Sequence, residues 1–134
     1  MKKAHLEIRV RYVETDQMGV AHHASYFSWM EAARTELMRG NSMSYRELEA
    51  NGFFLPVREA YCGYRKSLKY DDIMEIEATL LKIGGASIKI GYYIYLKGDN
   101  ESVADGYTLH PFIDETGKIV KIPPFFKKLF TSET

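Results

Sequence analysis

Two alternating runs placed back to back constrain this chain most. Met74, Ile76, Ala78 and Leu80 alternate with Glu75, Glu77 and Thr79. After Gly84-Gly85 the pattern resumes in Ala86, Ile88, Ile90, Tyr92, Ile94 and Leu96. Successive side chains of a strand point to opposite faces, so a period of two gathers the apolar ones on one side. The glycine pair closes a hairpin between the runs. The chain is thereby committed to an antiparallel sheet with one buried face.

The same period runs through Leu6, Ile8, Val10 and Tyr12, which predicts a first strand. Val57 to Leu68, with Pro56 ahead of it, reads as another strand, and Ser102 to Ile113 as the last. Between the first two strands the period changes. Tyr26, Phe27, Met30, Ala33, Leu37 and Met38 recur at three- and four-residue spacings from His23 onward. That is the apolar face of a helix of about four turns, stopped by Gly40 and Asn41. Ser44 and Glu47 form a capping box that opens a short helix ending near Gly52. Pro123-Pro124 introduces a short tail helix carrying Phe125, Phe126 and Leu129. Strand, long helix, then four strands make an α+β arrangement. One helix covers only one sheet face, and edge strands keep unpaired backbone groups, so at least a homodimer is expected.

Length and charge narrow the classes. With 134 residues a single domain spanning 1–134 is expected. Lys plus Arg is 18 and Asp plus Glu is 18, which argues against a nucleic-acid binder driven by phosphate contacts. The charged, alternating start is no signal peptide, and no run approaches the ~18 apolar residues of a membrane span, so the cytoplasm is expected. The lone Cys62 has no disulfide partner and reads as a buried structural thiol.

The segment YVETDQMGVAHHASYF, from Tyr12 to Phe27, carries the chemistry. Asp16 stands a short loop ahead of the helix, with Gly19 between, and His22 and His23 at the helix start. An acid in such a place is most often a cap or turn residue, although Asp16 lies far from the apolar stripe for a cap. Adjacent histidines diverge in most backbones, so no shared metal site is expected. The first turn of a helix offers N–H groups without internal partners and a dipole that favours negative charge.

Tyr12, Glu14-Thr15-Asp16, Gly19-Val20, His23-Ala24, Tyr26, Glu31 and Ala33-Arg34 together resemble the 4-hydroxybenzoyl-CoA thioesterase family, with its YbgC-type acyl-CoA thioesterases. YRKSLKYDD, Tyr64 to Asp72, is a second, weaker match. The resemblance implies the hot-dog fold, a five-stranded antiparallel sheet wrapped around one long central helix. It implies hydrolysis of the thioester of a small or medium acyl-CoA, or of an acyl carrier protein, without cofactor or metal. Asp16 would act as nucleophile or general base, and the His23 backbone N–H would polarise the carbonyl. Gly19, Val20 and Tyr26 would line the substrate, and Ser87 matches a family position. CoA would lie against a subunit interface of a dimer or a dimer of dimers.

The chemistry agrees with these residue types. A carboxylate can attack a thioester or deprotonate water, and a good oxyanion donor contributes about 3–4 kcal/mol in the transition state. Arg65 and Lys66, with Lys69, could meet CoA phosphates by charge; a solvated turn is the other reading. Glu31 is an alternative catalytic acid, although it is roughly 12 Å along the helix from His23, and an i,i+3 pair with Arg34 explains it structurally. Two rival functions are a hot-dog dehydratase of 3-hydroxyacyl thioesters and a non-catalytic acyl-thioester binding module. The dehydratase often has a Pro-Gly-Pro segment entering the helix, absent here. The binding module would need no carboxylate.

Overall fold

The two alternating runs form the middle of the sheet. The computed structural model describes residues 2–131. Strands β1 (Lys3–Arg9), β2 (Glu59–Tyr64), β3 (Ile73–Ile83), β4 (Ser87–Leu96) and β5 (Ser102–Pro111) are all antiparallel, in the order β1-β3-β4-β5-β2. The register sets Ile76 opposite Ile94 and Ala78 opposite Tyr92 across β3 and β4. It sets Ile94 opposite Ala104 and Ile90 opposite Thr108 across β4 and β5. These inward residues are buried against α1 (Ser25–Gly40), which contributes Trp29, Met30, Ala33 and Leu37. Each such fully buried aliphatic side chain contributes about 2 kcal/mol by leaving water.

Gly106 lets these layers close. A Cβ there would lie 2.0 Å from the Tyr61 carbonyl oxygen and 3.0 Å from Met30 Cε, so any side chain would push β2 or α1 away. The predicted capping box is present at α2 (Tyr45–Ala50): Ser44 Oγ accepts the Glu47 N–H at 3.1 Å. The tail helix α3 (Pro124–Thr131) buries Phe126 and Phe130.

The structure departs from the sequence reading in four places. β1 stops at Arg9, and Tyr12 lies in a short 3₁₀ turn, 77% exposed. The Glu14 carboxylate accepts the Arg11 N–H at 2.7 Å, which bends the chain out of the strand. α1 starts at Ser25 rather than His23. β2 ends at Tyr64, because the N–H groups of Arg65 and Lys66 both turn to the Val103 carbonyl. β5 ends at Pro111, and Ile113 continues only as isolated bridges to Phe54 and Ile119.

Two strands are edges, β1 and β2. β2 is the more exposed, with Tyr61 51% and Tyr64 46% accessible, which is unusual for a strand this aromatic.

Candidate active site

The loop between β1 and α1 is a small, pinned hairpin. Thr15 bridges Ala21, and the Asp16 N–H donates to the Val20 carbonyl at 2.9 Å. The Gly19 N–H closes the turn onto the Asp16 carbonyl at 3.0 Å. Gly19 has φ +77°, the left-handed region that favours glycine. The Asp16 carboxylate supports the same turn: Oδ1 accepts the N–H of Met18 at 2.8 Å and, more weakly, that of Val20 at 3.4 Å. Oδ2 has no hydrogen-bond partner among the described residues, and Asp16 is exposed.

Glu14 anchors this loop to the helix. Its carboxylate accepts the Arg11 N–H at 2.7 Å and the indole N–H of buried Trp29 at 3.0 Å. Its carbonyl accepts the His22 N–H at 2.7 Å and the Ser25 hydroxyl at 3.0 Å. One residue thus ties the start of the loop to the first turns of α1. The sequence reading quoted Glu14 only as part of a motif. Its spacing of three from Arg11 was the available signal; its tie to Trp29 leaves none.

The two histidines divide as their backbones dictate. His22 Nδ1 accepts the Ala24 N–H at 3.2 Å, so the ring supplies a cap that Ala24, at the N-cap position, lacks. Against the expectation that adjacent histidines diverge, the rings of His22 and His23 stack at 4.5 Å. The Ser25 N–H donates to the His22 carbonyl at 2.9 Å, turning that carbonyl toward the helix. In a trans peptide the following N–H, that of His23, points the opposite way. It has no acceptor among the described residues. The His23 carbonyl is held in turn by the Tyr64 hydroxyl at 3.1 Å.

A groove of about 270 Å³ opens at this point, lined by Ala21, His23, Tyr26, Tyr64, Arg65 and Lys66, together with Ser67. Tyr26 and Tyr64 meet edge to face at 4.9 Å. Desolvation, then the Cys62 thiol, push the Tyr64 hydroxyl up to about 12, so it stays a neutral donor at physiological pH. Burial raises Tyr26 and the Cys62 thiol as well.

Of the expected site residues, the structure brings His23, Tyr26, Arg65 and Lys66 to one groove. Asp16, Gly19 and Val20 form the adjoining turn, strapped beside it by the bridge between Val20 and Lys69. Arg65 and Lys66 are engaged: Arg65 forks onto Asp105 at 3.0 Å and Lys66 meets Glu101 at 2.6 Å. Ser87 lines a separate cleft with Lys82 and Lys89. It pairs with Pro111, whereas Tyr64 pairs with Ala104, so about 23 Å of β5 separates the two. Glu31 is exposed on α1, and Arg34 does not pair with it; Arg34 turns inward to Tyr92 at 3.4 Å. No group of three or more metal-ligating side chains occurs among the described residues.

Residues 10–130 match the thioesterase-like superfamily. The chain belongs to that superfamily. A protein of Aquifex aeolicus (strain VF5), named provisionally as an esterase, is 34% identical over 86% of this chain and 88% of its own length. The acyl-CoA thioester hydrolase YbgC of Escherichia coli O6:H1 is 36% identical over 60% of each chain. The crystal structure of a DHNA-CoA thioesterase from Staphylococcus aureus superposes with a TM-score of 0.90 at 27% identity, covering 98% of this chain and 91% of that one. With the strand order above, this superposition confirms the hot-dog architecture. No helix among the described residues is long and apolar enough to cross a membrane.

Proposed function

We propose that this member of the thioesterase superfamily hydrolyses acyl-CoA to the free acid and CoA, with Asp16 and the His23 backbone N–H as the reacting pair. The observation that carries the reading is their common origin in one pinned loop. Thr15 and Ala21, paired antiparallel, lie ~4.5–5.5 Å apart, with Asp16 beside Val20 on one side of the bridge and His22 beside Glu14 on the other, so the acid and the His23 N–H flank the same bridge.

A thioester carbonyl oxygen seated against the His23 N–H gains a donor aimed outward at the helix start, where the dipole favours developing negative charge. Asp16 Oδ1 is occupied by the turn, while Oδ2 is available. Oδ2 either attacks the carbonyl carbon, giving a mixed anhydride that water then cleaves, or takes a proton from the water that attacks. In both routes the C–S bond breaks and CoA leaves as thiolate. Tyr64 fixes the peptide that follows the donor, and Tyr26 forms the apolar wall behind it.

The working unit is a homodimer paired across β2, with the reaction in the cytoplasm. β2 is an exposed edge strand, and antiparallel pairing with its own copy would satisfy its free backbone groups. Such pairing reverses one sheet relative to the other. It brings the Ser87 end of one copy to the Tyr64 end of its partner, which a single chain cannot do. The function is tested by thiol release from a panel of acyl-CoA chain lengths with the purified protein. Turnover of at least one chain length is expected; no release from any of them would refute the reading.

A further inference from the structure

Arg34 is only 9% exposed, and no carboxylate forms an ion pair with it among the described residues. Its neighbours are phenols. It donates to the Tyr92 hydroxyl at 3.4 Å and faces the Tyr45 hydroxyl. A guanidinium can only donate, so the Tyr92 oxygen accepts from it. Tyr92 then has one proton to give, and Thr108 Oγ1 lies 2.7 Å away. Thr108 in turn meets His110 Nε2 at 2.7 Å, and His110 Nδ1 meets the Leu55 carbonyl at 3.2 Å. An arginine at one end and a carbonyl at the other fix the direction of the whole chain: every proton points from Arg34 toward Leu55.

Tyr45 is the branch this chain leaves open. Its oxygen also faces Arg34, yet its own O–H has no acceptor among the described residues. It stands in the wall of a cleft of about 450 Å³, lined by the apolar side chains of Phe54, Leu55, Pro56 and Ile113, with Glu49 and Glu115 at the rim. An apolar cleft of this size with one oriented donor suits a medium acyl group that carries one acceptor oxygen. Arg34 at the back strengthens the donor, because it draws density from the phenol oxygen. The acidic rim opposes a carboxylate, so the oxygen is a neutral one: a hydroxyl, ketone or ether.

We propose that this cleft receives the distal part of the acyl group and that Tyr45 is a specificity-determining residue for acyl chains bearing a neutral oxygen. The proposal rests on the acyl-CoA reading above. The cleft lies at the start of β2 and the His23 groove at its end, about 20 Å apart along six residues. Antiparallel pairing of β2 with a second copy sets the cleft of one protomer beside the groove of its partner.

The test uses thioether analogues, which cannot be hydrolysed. S-hexyl-, S-octyl- and S-decyl-CoA are compared by calorimetry with their ω-hydroxy counterparts. At the length that reaches Tyr45, the hydroxylated analogue is expected to bind about tenfold tighter to the wild-type protein, the effect of one good hydrogen bond. Tyr45→Phe is expected to erase that preference while leaving the plain alkyl analogue within about twofold. The proposal is overturned if no pair differs by more than about twofold in the wild type, or if Tyr45→Phe keeps the preference. Binding with this discrimination but without thiol release from any acyl-CoA would remove the hydrolase reading and leave the cleft assignment standing.

Discussion

Glu14→Ala removes the acceptor that holds the loop carrying Asp16 to the helix. Three donors lose their partner together: the Arg11 N–H at 2.7 Å, the Arg11 guanidinium at 3.4 Å and the Trp29 indole at 3.0 Å. Arg11 is exposed and can turn to water, so its loss is small. Trp29 is 2% exposed and cannot, so its N–H is left buried and unsatisfied. Such a group costs about 1–3 kcal/mol, and a hydrogen bond to a charged acceptor contributes about 1.5–3 kcal/mol. The two figures overlap for Trp29, so the expected total is about 3 kcal/mol. Glu14→Gln retains one acceptor oxygen and should lose about half as much. Trp29 is the sole tryptophan, so urea unfolding followed by its fluorescence reads the site itself. Because the loop carries Asp16, kcat should fall further than KM rises. A Glu14→Ala protein within about 0.5 kcal/mol of wild type would refute the anchoring argument.

Two further substitutions and a titration probe the frame. Gly106→Ala should destabilise by about 2–3 kcal/mol, read by thermal melting, because the new methyl meets the Tyr61 carbonyl oxygen and overpacking is poorly relaxed there. Gly19→Ala meets nothing within 4 Å, so only the backbone penalty of φ +77° remains, about 1–2 kcal/mol in the same assay. His110 is held down to about 4, first by burial and then by Arg34. Its folded value is below the unfolded 6.5, so its contribution is complete above pH 6.5 and drains away as pH falls toward 4. Unfolding free energies at pH 7 and pH 5 should therefore differ by about 2 kcal/mol on its account, and His110→Gln should flatten that difference.

Local patterns were legible where one short-range cause decides them. The β3–β4 hairpin follows from alternation and the Gly84-Gly85 pair, and α2 from Ser44 and Glu47. The place of Asp16 ahead of the helix followed from spacing alone. What sequence missed depends on partners far along the chain. β2 looked longer because Arg65 and Lys66 continue an extended segment; their pairing with Asp105 in β5 and Glu101 just before it is not encoded locally. Arg34 looked like a helix-surface partner for Glu31, whereas Tyr92, 58 residues away, draws it into the core. Glu14 and His22 gained tasks only once the loop was folded against α1.

The central claim is that one carboxylate in the pinned loop performs the hydrolysis. Asp16→Asn tests it cleanly, because the amide oxygen can still accept the Met18 N–H that shapes the turn. Thiol release should then fall in kcat by about 100-fold or more, with the fold and the melting temperature retained. An Asp16→Asn protein that hydrolyses its best acyl-CoA within about threefold of the wild-type rate would contradict the account, since general-base or nucleophilic assistance of any consequence exceeds that margin.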